Sequence, residues 1–360
     1  MYREYPHISF KRDWELSPGA WRMIGECEAY ANAIANTPIL PHYYDELMKV
    51  SLLKGAQSTT AIEGNTLTDS EIEHLMAGKN LPPSQKYQQK EVKNVVDALN
   101  ELLFEMVDGG VNKLISEELL QHFHKLIGHD LGESFAATPG KFRNTDVIVG
   151  TYRCPDYRDV PELINKLCTW MKNEFSFGNK QQAFYDVLIQ AIVCHVYIEW
   201  IHPFNDGNGR TGRLIEYYIL LRGGNPDIAS HILSNYYNHT RPQYYYHLDK
   251  AAKDRDLKGF IEYAIVGFRD GLVAKLNEIQ KSQFENTWHA HIYNTFDELK
   301  NVTRNEVFRR RRKLALSLPI NKIFRAEELP NLTIPLAQMY SGKSLKTIQR
   351  ELEKLYELGL

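Results

Sequence analysis

Through most of the chain, apolar residues recur at three- and four-residue intervals, the spacing of one face of an α-helix. Trp21, Ile24, Tyr30 and Ile34 predict a first helix that ends before Pro38. Pro41 suits the first turn of a second helix with Leu47, Val50, Leu52 and Leu53 as its stripe. That helix runs through Ser58 and Thr59 to Glu63, with Gly64-Asn65 as its C-cap. Thr68-Asp-Ser-Glu71 has the spacing of a capping box and opens a short helix. Residues 88–107 predict a longer one, and Ser116 starts another bearing Leu119, Leu120, Phe123 and Leu126. The pattern changes after Pro139-Gly140. Phe142 to Tyr157 is rich in β-formers, with Asp146-Val-Ile-Val149 followed by Gly150-Thr151-Tyr152, and predicts one hairpin. Helical spacing returns at Pro161, with Leu163, Leu167 and Trp170, and is strongly apolar from Ala183 to Trp200. Gly223-Gly224-Asn225-Pro226 interrupts the chain, and residues 241–253 and 257–282 predict two further helices. The expected class is therefore all-α with one hairpin.

At 360 residues and 43% apolar, the chain can bury a sizeable core. A net charge of −2 gives no global attraction to nucleic acid or to an anionic membrane. No apolar run approaches the ~20 residues of a membrane helix, and the start, Met1-Tyr-Arg-Glu-Tyr-Pro, lacks the apolar core of a secretory signal. Cys27, Cys154, Cys168 and Cys194 are far apart and form no Cys-x-x-Cys pair. Four reduced thiols in a cytoplasmic protein are the expectation.

The chemistry concentrates in His202-Pro-Phe-Asn-Asp206-Gly-Asn-Gly-Arg210-Thr-Gly-Arg213. His202 can accept a proton near neutral pH. Asp206 is a hard oxygen ligand of the kind Mg²⁺ takes beside phosphate oxygens. Gly207, Asn208 and Gly209 can aim several backbone N–H groups at one anion. The apolar run Leu214–Leu221 follows, so the turn opens a helix whose N-terminus attracts phosphate. Arg210 and Arg213 sit three apart and each offers a fork of donors. His195 lies two helical turns before His202, but with no third ligand it reads as a partly buried helix histidine, and His122, His124 and His129 read as surface or core positions rather than a metal site.

The stretch resembles the signature of the Fic family, His-x-Phe-x-(Asp/Glu)-Gly-Asn-Gly-Arg-x-x-Arg, with every fixed position filled. Softer similarities extend over roughly residues 40–260: Gly140-Lys-Phe-Arg143, the helix leading into His202, and Arg241-x-x-Tyr244-Tyr245. The resemblance implies a mainly helical Fic fold and transfer of AMP from ATP to a hydroxyl of a protein, with Mg²⁺. It makes His202 the base that deprotonates the hydroxyl and Asp206 the Mg²⁺ ligand. Gly207, Asn208, Gly209, Arg210, Thr211, Gly212 and Arg213 become the phosphate cradle, and Tyr244 and Tyr245 neighbours of the adenine. Glycine at position 209, where the phosphorylating toxin branch typically carries lysine, favours AMP transfer. Val149, Gly150, Thr151 and Tyr152 become a flap whose strand edge docks the target. Thr59-Thr-Ala-Ile-Glu63-Gly resembles the family's inhibitory motif (Ser/Thr)-x-x-x-Glu-(Gly/Asn). Glu63 would pair with Arg213 and occupy the place of the γ-phosphate. As a surface glutamate at a helix end, its loss should alter stability by well under ~1 kcal/mol. Removal of AMP, transfer of another phosphate-containing group, or nucleotide sensing without transfer remain alternatives.

The expected organisation is an N-terminal helical region (1–110), the Fic core (111–260), a connecting helix (261–289) and a C-terminal domain (290–360). Phe308-Arg-Arg-Arg-Arg-Lys313 reads as a solvated helix face. Ile334–Tyr340 and Ser344–Leu358 read as two helices around the turn Ser341-Gly342-Lys343, resembling the helix-turn-helix of winged-helix domains. Leu345, Ile348, Leu352 and Leu355 would be buried, with Lys346, Gln349 and Arg350 outward. A wing, which would begin at Gly359-Leu360, is missing from this sequence, so DNA binding, protein docking and homodimerisation all stay open. The target protein is not specified, and self-modification is a further expectation.

Overall fold

The computed structural model describes residues 5–79, 81–107, 114–175, 182–299, 305–319 and 322–360. It has two compact units, residues 1–276 and 277–360. The N-terminal helices and the core, which the sequence reading separates at residue 110, lie together in the first unit, and position 110 itself lies outside the described residues.

The first unit contains α1 (Pro18–Asn36), α2 (Pro41–Ile62), α3 (Asp69–Met76), α4 (Lys86–Val107), α5 (Glu117–Ile127), α6 (Val160–Glu174), α7 (Phe184–Ile201), α8 (Asn208–Arg222), α9 (Ile232–His239) and α10 (Arg241–Asp254). A 40-residue helix, α11 (Lys258–Asp297), follows. Capping chemistry sets the starts that the sequence predicts. Thr68 and Glu71 make the reciprocal capping box of α3, and the Ser116 hydroxyl caps α5. β1 (Ile148–Val149) and β2 (Tyr152–Arg153) pair antiparallel, Val149 opposite Tyr152. Gly150 and Thr151 form the two-residue turn, whose first position has φ +58°.

At the centre lies α7, apolar on all sides and buried at nearly every position from Val187 to Ile201. It is long and apolar enough to cross a membrane by length and composition, yet 78% of that stretch is buried inside the unit. It packs along α8, which is buried from Asn208 to Leu221. α2, α4 and α5 also pack on α8, bringing three sequence-distant helices around its first turn. In α1 the buried face is Ala20, Ile24, Cys27, Ala31 and Ile34. Trp21 stands 47% exposed against Tyr185, because a small residue one position earlier takes the core-facing place. All four cysteines are free.

The second unit holds α12 (Glu306–Ser317), α13 (Ile334–Tyr340) and α14 (Leu345–Glu357) around Leu314, Leu336, Ile348 and Leu355. Lys346, Gln349 and Arg350 are exposed, and so is Leu345, at 40%, because it is the first residue of its helix. The basic run is not wholly solvated. Arg310 is buried, its Nε donating to both Glu351 oxygens at 3.0 and 3.2 Å, and Tyr340 donates to Glu351 Oε2 at 2.6 Å. Removing one member of such a pair strands the other, at ~3–5 kcal/mol. Glu351→Ala should therefore lower the unfolding free energy of this unit by about 3 kcal/mol, while Arg310→Met with Glu351→Leu should recover most of the loss. Urea unfolding of the two variants checks this.

Buried titratable groups make stability depend on pH. Burial lowers His7, His124 and His202 to about 4, and His195 and His231 to about 3. Below the ordinary value near 6.5 the unfolded chain then binds more protons than the folded one, so stability falls on acidification from about 6.5 toward 4. Burial also raises Glu199 to about 7 and Glu216 to about 8. These carboxyls favour the folded state while protonated and cost stability as pH rises from about 4.5 to 8. The histidines outnumber the carboxyls, so the urea midpoint should peak near pH 6.5 and fall on both sides. A midpoint rising steadily to pH 8 would contradict the carboxyl assignments.

Candidate active site at the start of helix α8

The site begins where α7 ends. His202 has φ 50° and ψ 61°, a left-handed conformation that closes α7 and turns the chain into the loop before α8. Its Nδ1 lies 3.3 Å from the Glu199 carbonyl. A carbonyl only accepts, so Nδ1 carries the proton and Nε2 keeps the lone pair. Burial lowers the imidazole pKa to about 4, leaving it neutral around pH 7.

Three side chains hold the loop. Asn208 accepts from the Phe204 N–H and donates to the Phe204 carbonyl, both at 2.8 Å. Arg143 donates to the His202 carbonyl at 2.7 Å, to the Thr145 carbonyl at 2.8 Å and to the Pro155 carbonyl, fastening the base of the hairpin to the loop. His124 accepts from the Gly140 N–H at 2.9 Å and donates Nε2–H to the Asp206 carbonyl at 2.9 Å, with its ring stacked on Phe204. His124, which the sequence leaves as a surface or core position, is thus a fully buried support of the turn. Gly207 has φ +82°, and a side chain there would meet Phe135 and His124.

Arg210 and Arg213 diverge from the α8 axis to different partners. Arg210 is 3% exposed, donating to Glu91 on α4 and to Asp206 at 2.6 Å, with its guanidinium over the Phe135 ring at 5.4 Å. Glu91 is itself held by Asn65 at 2.7 Å. Arg213, its side chain 1% exposed, donates to the Thr59 hydroxyl (2.6 Å), the Thr59 carbonyl (2.8 Å) and Glu63 Oε1 (2.6 Å). Its Nη1 has no hydrogen-bond partner. Burial alone would raise the Glu63 pKa, but the Arg213 charge and hydrogen bond hold it below the usual carboxylate range. Glu63 also lies over the first turn of α8: a Cβ built on Gly209 would fall 2.1 Å from Glu63 Oε1 and 3.0 Å from Arg213 Nη1. A carboxylate therefore occupies the place where a helix N-terminus binds an anion.

The Thr211 hydroxyl donates to the Gly207 carbonyl at 2.8 Å, and Gly212 lets α8 approach His195 on α7. Tyr244, expected beside an adenine, is 1% exposed, bonded to His195 at 3.0 Å and stacked on Tyr237. Tyr237 belongs to α9, and Phe260 of α11 meets the Tyr244 ring edge-on. Tyr245 is 46% exposed, and its hydroxyl donates to the Ile62 carbonyl at the end of α2, as Arg241 also does. α10 thus fixes the helix end that presents Glu63. In the hairpin, Val149 (45% exposed), Gly150 and Thr151 are open, but Tyr152 is anchored to the Trp200 carbonyl at 2.8 Å and to His7 at 2.7 Å. Asp206 is 29% exposed, with Oδ2 accepting from the Ala136 N–H at 3.3 Å. Among the described residues no group of three His, Cys, Asp or Glu is placed to hold a metal by itself.

The Fic/DOC family model matches residues 114–220. Protein adenylyltransferase fic-1 of Caenorhabditis briggsae is 29% identical over 208 residues, 57% of this chain and 37% of that protein. Protein adenylyltransferase Fic of Nematostella vectensis is 26% identical over 206 residues, 57% of this chain and 44% of that protein. The chain thus spans less than half the length of these relatives. A Fic family protein from Desulfovibrio desulfuricans G20 superposes with a TM-score of 0.60 at 23% identity, over 74% of this chain and 77% of that one. Fic-1 from C. elegans does so with 0.60 at 22%, over 73% of each. At these identities the two structures establish a shared fold.

Proposed function

The chain carries a domain of the Fic family over residues 114–220, and on that premise we propose that it transfers AMP from ATP to a hydroxyl of a protein and is held down by Glu63. The carrying observation is the first turn of α8. There a neutral imidazole, a glycine turn and an incompletely satisfied buried guanidinium converge on a place filled by a carboxylate from α2.

In this reading the α8 N-terminus receives the ATP phosphates by backbone N–H groups. The free Nη1 of Arg213 supplies a further donor, and Arg210 contributes charge from within its pairs with Glu91 and Asp206. The hydroxyl oxygen attacks the α-phosphorus as its proton passes to Nε2 of His202. The bond from the α-phosphorus to the oxygen bridging to the β-phosphate breaks, and pyrophosphate leaves. Asp206, a single partly exposed carboxylate, suits Mg²⁺, which binds through one or two carboxylates with substrate phosphates and water. Bound there, the ion would offset phosphate charge. An extended target segment can pair along the exposed hairpin edge at Ile148 and Val149, near the loop that Arg143 fastens to it.

The deciding experiment incubates the Glu63→Gly protein with ATP labelled at the α- or the γ-phosphate. Label from the α-position alone, with the mass of AMP on the product, is expected; label from the γ-position would mean phosphorylation instead. Asp206→Ala should lose both transfer and the dependence of ATP binding on Mg²⁺. If ATP affinity still rises steeply with Mg²⁺ in that variant, the ion is held elsewhere.

A further inference from the structure

A second feature adjoins the loop before α8. Between α3, α4 and the segment after α5 lies a cleft of about 680 Å³, lined by Leu75, Lys86, Lys90, Lys93, Asp130 and Leu131 among others. The three lysines stand at i, i+4 and i+7 on α4, so they share one helix face. Among the described residues Asp130 is the only acidic group of the lining, 3.9 Å from Lys90. In a chain whose net charge is −2, the cleft wall is locally positive.

The same wall leads to the reacting groups. Tyr87, which lines the cleft, interacts with Arg210. The chain from the lining residues Asp130, Leu131, Gly132 and Ser134 continues into Phe135, under the Arg210 guanidinium, and Ala136, whose N–H donates to Asp206. A ligand seated in the cleft therefore ends beside the turn where the hydroxyl must arrive.

The lining also narrows the kind of ligand. Among the described residues no arginine lines this cleft, whereas the place suited to a phosphate lies at the start of α8. Lysines are separate point charges on flexible apolar stems. Spread along about two helical turns beside Leu75, Leu131 and Tyr87, they suit several carboxylates distributed on a partly apolar chain. We propose that this cleft docks an acidic segment of the protein that receives AMP, placing the neighbouring hydroxyl at the catalytic turn. The inference rests on the AMP-transfer reading and names the chemistry of its target.

The test needs no turnover. A fluorescent peptide with one serine and a run of Asp and Glu is titrated against the full chain by anisotropy, beside a matched peptide with Asn and Gln. The acidic peptide should bind about tenfold more tightly and lose that advantage as salt rises. Charge reversal (Lys86→Glu, Lys90→Glu, Lys93→Glu) should remove the difference. The milder set Lys86→Gln, Lys90→Gln, Lys93→Gln should weaken it in the same direction, and serves if the reversed protein does not fold. Self-modification by either variant in the Glu63→Gly background should keep its KM for ATP. Equal affinity of the two peptides for wild type, or an acidic-peptide affinity unaltered in the Gln variant, overturns the cleft assignment. So does a raised KM for ATP with peptide binding intact, which would give the cleft to the nucleotide. Charge-dependent peptide binding by a protein that transfers no label from ATP would instead count against AMP transfer while leaving the docking site standing.

Discussion

Glu63→Gly is expected to transfer AMP ten- to a hundredfold faster than the wild type. Glu63 Oε1 lies 2.6 Å from Arg213 Nη2 and would be 2.1 Å from a Cβ on Gly209. No phosphate oxygen can share that space. Hydrogen bonds involving a charged group are worth ~1.5–3 kcal/mol, and ~1.4 kcal/mol is tenfold in rate. Releasing one such contact for use by the substrate therefore sets the expected range. Arg213→Ala should transfer slowly whether or not Glu63 is present, so the double variant Glu63→Gly, Arg213→Ala should lose most of the gain. Initial rates for the wild type, both single variants and the double variant test this. An unaltered rate in Glu63→Gly would leave Thr59–Gly64 as an ordinary helix end.

The same change should also cost stability. Glu63 is partnered by a guanidinium that is 1% exposed. Without the carboxylate, Arg213 keeps the Thr59 hydroxyl and carbonyl but buries an uncompensated charge. The ATP-free variant should be less stable than wild type by about 1–3 kcal/mol. A ligand that binds the folded state then stabilises it by mass action, so a non-hydrolysable ATP analogue should raise the midpoint of Glu63→Gly more than that of the wild type. Mild acid is no substitute for the mutation. Arg213 holds the Glu63 pKa below the usual range, so the pair stays ionised and intact above it.

What could be read from the sequence follows how local each interaction is. The turn at Gly207–Gly209, the hairpin with its two-residue loop and the Thr68 capping box depend on neighbours in sequence, and all three stand where the spacing puts them. Glu63 and Arg213 were pairable only by resemblance, because 150 positions separate them and nothing in either helix alone brings them together. Glu91, the partner of Arg210, carries no motif; its signal is a lone carboxylate at a position that α4 buries. Tyr244 and Tyr245 are neighbours in one aromatic run, and packing alone separates them: α9 and α11 bury the first and leave the second exposed. Arg310 repeats the lesson: a run of arginines looks uniformly solvated until Glu351 and Tyr340 select one of them. Helix existence is local, whereas the identity of the buried partner is decided by packing.

Replacing His202 should cost transfer about 10²–10⁴-fold, the usual contribution of a general base, and the choice of replacement matters. The residue sits at φ 50°, where an L side chain costs roughly 1–2 kcal/mol and glycine nothing. His202→Ala keeps the Cβ that the wild type already holds at that φ, so its backbone cost is about that of histidine. His202→Gly relieves the backbone and His202→Asn tolerates it, so both should be inactive yet at least as stable as wild type. The pH profile separates base from scaffold. Burial lowers the imidazole to about 4, and the Glu199 carbonyl fixes the proton on Nδ1. The active form is the neutral ring, so kcat/KM should stay level down to about pH 5 and fall only as pH drops through about 4. A limb near 6.5 would mean that the ring is solvated in the free enzyme. Stability should fall in the same direction but over a higher window. The folded pKa lies below the unfolded value, so wild type loses stability on acidification from about 6.5 toward 4, and His202→Asn should lose less over the same window. Near-wild-type transfer by a stable His202→Gly protein would remove His202 from the chemistry altogether.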